Sequence, residues 1–313
     1  MSDKISIAMT TYNGEKYLKE QLDSLYAQTR VPEEIVVCDD RSKDNTVQIL
    51  EEYHRKYGLR YFINETNLGV NKNFEKAIRN CTGDYIALCD QDDIWLKTKV
   101  EKSYSKLKEI ETNGLASLVS SDRYDIDSLG NIINPQKIFK NSDFYTTYAT
   151  TLLGNKMQGC SFMMNRKLVE CIIPLPEQKI PLYDNYIGII AAMIGNKYDI
   201  GEPLMYYRHH TTNVFGKKEK KYSPMATLQK KFIPYLQLYD KGRQQTMKLI
   251  QDNFESSFIR ERVDFFYLIQ KIATSHNLFT RIQGIFAIKY FSFQQKITAS
   301  LAVSISHLKN MIW

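Results

Sequence analysis

The sequence is sparing with backbone punctuation and with the residues that make the simplest functional signatures. It holds 14 glycines, eight prolines and two tryptophans in 313 residues. Its five cysteines, at 38, 81, 89, 160 and 171, form no C-x-x-C pair and no histidine stands at zinc-finger spacing, which excludes a small zinc module. Three of them lie in apolar, strand-like runs and read as reduced core residues of a cytoplasmic protein. The start, "MSDKISIAMTTYNG", has no basic head followed by a long apolar core, so it is not a signal peptide. No uninterrupted apolar stretch reaches the roughly 18–20 residues a membrane-crossing helix needs. Segment 282–304 comes nearest, but Lys289, Gln294, Gln295 and Lys296 break it. It reads as an amphipathic helix pair, packed on the core or lying on a membrane surface. G-x-G-x-x-G and the P-loop are both missing, so the phosphates of any bound nucleotide must be neutralised by other means. There is no internal repeat and no low-complexity tract.

What is present is ordinary in bulk and uneven in charge. The chain is 43% hydrophobic and 25% charged with a net charge of +7, as a soluble globular protein of one large or two modest domains would be. From Lys217 onward 16 Lys/Arg face 6 Asp/Glu, a net of +10, which leaves −3 for the first 216 residues. A basic tail of this kind meets an anionic partner or forms a solvated basic face. The Lys-rich stretch 217–224 reads as a linker, giving an expected division into 1–216 and a basic, helical 217–313.

The first hundred residues alternate strand and helix. "KISIAMT" is β-branched and apolar, and "EKYLKEQLDSLYAQT" sets Leu18, Leu22 and Leu25 on one helical face. "EEIVVCDD" is a second strand. "DNTVQILEEYHRKY" is a helix with Val47, Leu50, Tyr53 and Tyr57 inward and Gly58 just past its end. "LRYFI", "NKNFEKAIRN" and "DYIALC" continue the alternation, and "LKTKVEKSYSKLKEI" is a further helix. This predicts an α/β fold with a mostly parallel sheet covered on both faces. Ligands in such sheets bind beyond the carboxyl ends of the strands. Those ends here are "TTYNG", "DDRSKDNT", "NETNLG" and "DQDD", all polar and two strongly acidic. Further on, "GLASLVSSDRYDI" reads as a strand, "YDNYIGIIAAMIG" as a helix, and "KYDI" and "PLMYYRHHTTNVFG" as two more strands.

Carboxylates at a strand end suit a divalent cation bridging to a diphosphate, because Mg²⁺ and Mn²⁺ prefer hard oxygen ligands. One acid of an Asp-x-Asp can take the metal while the other takes a sugar or ribose hydroxyl. Acids also cluster on ordinary surfaces, as "DRYDID" shows, so the pattern alone is weak.

Its company is specific. "IAMTTYNGEKYLKEQLDSLYAQT", "EIVVCDDRSKDNT", "NETNLGVNKNFEKAI" and "GDYIALCDQDDIW", in that order, resemble the family 2 glycosyltransferases, and within them the rhamnosyltransferase-type enzymes of bacterial surface polysaccharide synthesis. The resemblance spans about 4–216. It implies a GT-A (nucleotide-diphospho-sugar transferase) fold, a Rossmann-like sandwich, followed by a C-terminal helical extension. It also implies an inverting, metal-dependent hexosyltransferase moving a sugar from dTDP-rhamnose or a UDP-hexose to a hydroxyl of a growing cell-surface polysaccharide or lipid-linked oligosaccharide. Thr10, Tyr12 and Asp40 match positions for base and ribose; Asn67, Gly69 and Asn73 match a motif near the nucleotide. Asp90 and Asp92 match the Asp-x-Asp, with Asp92 toward Mg²⁺ or Mn²⁺ and Asp93 assisting. Asp184, at the start of a helix about 90 residues on, matches the general base. The family often carries two aromatics after that acid, whereas Asn185 and Tyr186 follow here. Gln158, Gly159 and Cys160 match a segment beneath the donor sugar. Arg208, His210 and Asn213 match one near diphosphate or metal, with His209 a structural hydrogen-bonder.

The implied partners are a nucleotide-sugar and a glycan or polyprenyl-linked acceptor. A polyprenyl acceptor would bring the basic tail to the inner face of the plasma membrane as a peripheral contact. The tail packing on its own catalytic domain, or on a second subunit in a homodimer, is the alternative. Two other classes stand against the enzyme: a nucleotide-sugar or carbohydrate-binding protein without turnover, and a nucleic-acid binder. Neither the base nor the Asp-x-Asp is missing, and no helix-turn-helix, zinc spacing or RNP-like aromatic run supports nucleic acid.

Overall fold

The computed structural model describes residues 3–112, 114–134, 151, 158–176, 180, 182–211, 241–274 and 283. Asn213, the stretch 217–224 and all of 282–304 except Gln283 lie outside the described residues. The chain forms two compact units. One comprises Met1–Ser142, Gln158–Glu177 and Gly195–Lys218; the other comprises Asp143–Met157, Gln178–Ile194 and Glu219–Trp313.

The first unit is built on a nine-stranded mixed sheet. Strands β1 (Ile5–Thr11), β2 (Glu34–Asp39), β3 (Arg60–Ile63) and β4 (Tyr85–Cys89) are all parallel, and helices α1 (Leu18–Tyr26), α2 (Thr46–Tyr57) and α3 (Val70–Asn80) connect them. A short β5 (Ile94–Trp95) leads into α4 (Lys99–Ile110), then β6 (Ser117–Ile126), β7 (Ile132–Asn134), β8 (Phe162–Asn165), α5 (Arg166–Ile172) and β9 (Asn196–Arg208). The spatial order is β3-β2-β1-β4-β8-β6-β9-β5, with β7 on β6. Strand β8 is antiparallel to both β4 and β6, and β9 is parallel to β6 but antiparallel to β5. Strands β1, β2 and β4 are buried on both faces, as parallel strands under helices must be. Leu18, Leu22 and Leu25 are fully buried, so the helical period was read correctly. All five cysteines are free and four are buried.

Three details differ from expectation. Tyr57 is 43% exposed; it sits in the last turn of α2 and stacks on Tyr26 with ring centroids 4.2 Å apart. Helix α1 starts later than its polar lead-in suggested, because Gly14 to Tyr17 form a turn closed by Tyr17 N donating to Gly14 O. The two strands expected around "GEP" are one 13-residue β9. Register shifts beside Ser121 and Asp122 in β6 absorb the interruption, which is where a strand tolerates proline.

The second unit holds α6 (Tyr183–Ile194), α7 (Lys241–Phe254) and α8 (Arg260–Thr274). Helix α6 is buried almost all round, from Tyr183 to Met193, so it needs cover on every side. Helix α7 packs on it. At its carboxyl end Ile259 N donates to Met193 O at 2.9 Å and the Arg262 guanidinium donates to Ala192 O, satisfying carbonyls a helix end leaves open. Among the described residues no helix is long and apolar enough to cross a membrane.

Met247, Ile250, Phe266 and Ile269 are buried in this unit, each contributing about 1.5–3 kcal/mol if wholly removed from water. A chain ended at Gly216 would strip that cover from α6. It should be recovered mainly as aggregate, whereas the full chain stays dispersed; soluble yield and size-exclusion profiles of the two check this.

Candidate active site

The site grows from the carboxyl edge of the parallel strands. Register pairs Thr11 with Asp39 and Met9 with Cys89, so the chain leaves β1, β2 and β4 at one edge. The β1 and β2 exits interlock through Thr11 Oγ1 donating to Asp39 Oδ2 at 2.8 Å and Ser42 Oγ donating to the same oxygen at 2.6 Å. Gly14 N donates to Thr46 Oγ1, and Lys43 N to Asn13 Oδ1. Thr10 is half-buried there and Tyr12 is 47% exposed, an aromatic face held open at the rim.

Asp40 is buried, and its carboxylate organises the next loop. It accepts from Asn64 Nδ2 at 2.9 Å, Leu68 N at 2.7 Å and Gly69 N at 2.9 Å. Asn67 Nδ2 donates to Asp40 O, and Asn73 bridges Cys38 O and the Asn64 amide. Gly69 has φ 78° and ψ 163°, a conformation essentially reserved for glycine. The structure thus gathers Asp40, Asn67, Gly69 and Asn73 in one network that shapes the loop beside β2.

The Asp90–Asp93 acids follow β4, and β9 comes back to meet them. The antiparallel pairs Ile94–Tyr206 and Trp95–Met205, continued outward, set Arg208 opposite Asp92. Arg208 Nε donates to Asp92 O at 2.9 Å, its backbone N donates to Asp93 Oδ1 at 3.1 Å, and its guanidinium pairs with Glu20. The Arg208 side chain is only 3% exposed and its guanidinium lies over the Tyr17 ring, so it braces the acidic loop from behind. His210 Nε2 stands 2.7 Å from Asp92 Oδ2, with its ring 5.0 Å from that of Tyr17. His209 instead meets Asp125, the hydrogen-bonding place expected of it.

Burial pushes the Asp93 carboxyl well above the usual carboxylate range, and Asp92 and Asp90 add to the effect. Its Oδ2 is buried with no N–H or O–H donor among the described residues; its neighbour there is the Cys160 thiol, which burial likewise pushes up. Ligand atoms of Asp90, Asp93 and Cys160 lie within 4.8 Å of one another. Cys160 and Gly159 are buried in the turn 159–161, and the buried Gln158 Oε1 also has no hydrogen-bond partner among the described residues. In the group of Asp90, Asp93 and Cys160, the Asp90 and Asp93 oxygens are the hard donors that suit a divalent cation; among the described residues the group does not include Asp92 or His210, which pair with each other instead. Asp184 is in the other unit, the second residue of α6, and is 7% exposed. Its Oδ1 accepts from Asn185 N at 2.6 Å.

Residues 6–173, more than half the chain, match the sequence profile of glycosyl transferase family 2. The chain belongs to that family. A glycosyltransferase of Methanocaldococcus jannaschii is 39% identical over 70% of this chain and 76% of its own. The dTDP-rhamnosyl transferase RfbG of Shigella flexneri is 26% identical over 83% of this chain and 89% of its own. Relatives from mycobacteria are 40% identical over 94 residues, and this chain spans about a quarter of their length, 27%. Among solved structures, S. aureus TarS in complex with UDP-GlcNAc superposes with a TM-score of 0.57 at 18% identity, over 98% of this chain and 92% of that one. The mannosyltransferase PcManGT of Pyrobaculum calidifontis, in complex with GDP-Man and Mn²⁺, gives 0.53 at 15% identity, over 99% and 88%. The fold of this family 2 member is therefore GT-A.

Sequence reasoning missed Thr11, Asp39 and Ser42, which lock the first two loops, and the amide of Gln91, which reaches Tyr12. The doubled "DD" and "TT" gave no sign of which member faces inward. It also missed Glu20, whose partner is 188 residues away.

Two outcomes follow. Asp40→Asn would keep one acceptor oxygen for Asn64 and Leu68 but turn an amide N–H₂ toward Gly69 N; hydrogen bonds to a charged group contribute about 1.5–3 kcal/mol each. The variant should lose about 2–3 kcal/mol in denaturant unfolding, near the upper end for one altered polar group. Burial would raise the Asp125 carboxyl, but the His209 hydrogen bond and the Arg123 charge override it and hold it at about 2 against an ordinary 3.8. A depressed folded value means stabilisation present above the ordinary value and lost as pH falls toward 2. The deficit of Asp125→Asn, about 2 kcal/mol at neutral pH by linkage, should therefore shrink between pH 4 and pH 2 when both proteins are melted across that range.

Proposed function

We propose that this protein transfers a sugar, with inversion at the anomeric carbon, from a nucleotide-diphosphate donor to a hydroxyl of a growing cell-surface polysaccharide or lipid-linked oligosaccharide. The observation that carries the reading is the meeting of Asp92 with His210 at the edge where the β1 and β2 loops present Tyr12 and the Asp40 network. The similarity to RfbG over 83% of the chain favours dTDP-rhamnose over a UDP-hexose as donor.

In this mechanism Tyr12 stacks on the base, and Thr10 and the Asp40 loop with Asn67, Gly69 and Asn73 hold base and ribose. Asp90 takes a sugar or ribose hydroxyl. Gln158 and Gly159 line the floor beneath the donor sugar. Asp92 and His210 hold Mg²⁺ or Mn²⁺. That ion supplies Lewis-acid stabilisation of a departing diphosphate, of the order of several kcal/mol. Arg208 steadies the Asp92 backbone and sets a positive charge behind the loop. Asp184 accepts the proton of the acceptor hydroxyl while the new carbon–oxygen bond forms on the face opposite the leaving group. The basic region from Lys217 gives the protein an attraction to anionic lipid at the cytoplasmic membrane face, where polyprenyl-linked acceptors would reside.

Asp184→Asn should lower turnover by roughly 10²–10⁴-fold, the usual cost of removing a general base, while donor affinity by calorimetry changes little. Full activity in that variant would remove Asp184 from the mechanism. Asp92→Ala should abolish the enhancement of nucleoside diphosphate binding by Mn²⁺. Unchanged Mn²⁺-dependent binding would remove the metal assignment.

A further inference from the structure

Gln91 stands between the two acids of the Asp-x-Asp stretch, yet its side chain turns away from both. Its Oε1 accepts from Tyr12 N at 2.8 Å and its Nε2 donates to Tyr12 O at 3.1 Å. That is the two-bond exchange residues make across neighbouring strands, here made by a side chain. The backbone ladder between β1 and β4 ends at Met9–Cys89; the amide extends the connection further out, where the strands have become loops. Only a primary amide offers one donor and one acceptor side by side. A glutamate would set a carboxylate against the Tyr12 carbonyl, and an asparagine is one methylene short. The facing loop is bare where the amide passes. A Cβ on Gly14 would lie 2.3 Å from Gln91 Oε1 and 2.7 Å from its Cδ, so glycine there is a condition of the clamp.

We propose that Gln91 is a positioning residue that holds the nucleoside side of the site, at Tyr12, at a set distance from the acid side, at Asp90 and Asp92. The inference rests on the reading above that this cleft takes a nucleoside diphosphate. Both clamp bonds are open to solvent, where water competes for each partner and the net contribution to folding is small. The clamp therefore acts on ligands that span both sides. A ligand resting on the Tyr12 side alone does not sense the spacing.

The test is calorimetric titration of UDP and dTDP, and of UMP and dTMP, in the presence of Mn²⁺. Gln91→Ala should weaken the bound diphosphate about tenfold, or about 1.4 kcal/mol, and leave the monophosphate within about twofold. Gln91→Glu should do the same, since it cannot donate. Gly14→Ala should reproduce the loss in the unaltered chain and add nothing to Gln91→Ala, the non-additivity expected of a shared contact. Equal weakening of diphosphate and monophosphate with a lowered melting temperature would mean general loosening and overturn the proposal. Unchanged diphosphate binding in Gln91→Ala would overturn it as well. Failure of the unaltered chain to bind either diphosphate would instead bring down the functional reading beneath it.

Discussion

Three carboxylates within four residues, at the end of a buried strand, repel one another and lose hydration together; such a cluster persists only where donors are built around it. Strand β9 supplies them. Its last residue gives a backbone N–H to Asp93 and a guanidinium to the carbonyl of Asp92, and the histidine two residues on reaches the Asp92 carboxylate. The arginine is buried, and its remaining charge is shared with Glu20 and the face of Tyr17. An arginine suits this place because its planar fork serves several partners at once. The Asp-x-Asp loop is thus held from behind, which leaves its carboxylates to be aimed by backbone rather than by chance.

The same economy runs through the neighbouring loops. The two acids that end β2 point to different neighbours: Asp39 ties to Thr11 and Ser42, and Asp40 ties to the loop before α3. Each carboxylate closes one loop around the edge of the sheet. Because β1, β2 and β4 are parallel neighbours, the loops they feed lie side by side, and side-chain bonds between loops replace the ladder that has run out.

Much of this was legible beforehand, for a physical reason. Strand and helix periods in the first hundred residues are strong because both sheet faces are covered, so β1 to β4 and the helices between them could be read from apolar spacing alone. That the strand ends are polar followed from the alternation, whereas the individual candidates in "DDRS", "NLGVNKN" and "DQDD" came from the family resemblance. Legibility failed where the reason for a residue lies far along the chain. The two-residue β5 has too few positions to show a period. The "GEP" in β9 looked like a break because the register shifts that accommodate it arise only in the pairing of β9 with β6. Tyr57 had the right phase for burial but the wrong place, at the exposed end of its helix.

The sequence by itself determined the order of elements from β1 to β4, the polarity of the strand ends and the residue types gathered at the site. Those are local properties, set by side-chain volume, charge and repeat. Only the tertiary structure decided which oxygen of which acid is engaged: that Asp40 holds a loop, that Asp93 is buried beside Cys160, and that Arg208 lies under the acids. It alone also decided that α6, which carries Asp184, shares a unit with helices beyond residue 240. These are matters of burial and partnership between segments as much as 188 residues apart. No window along the chain contains both members of such a pair, so folding alone brings their energies into being.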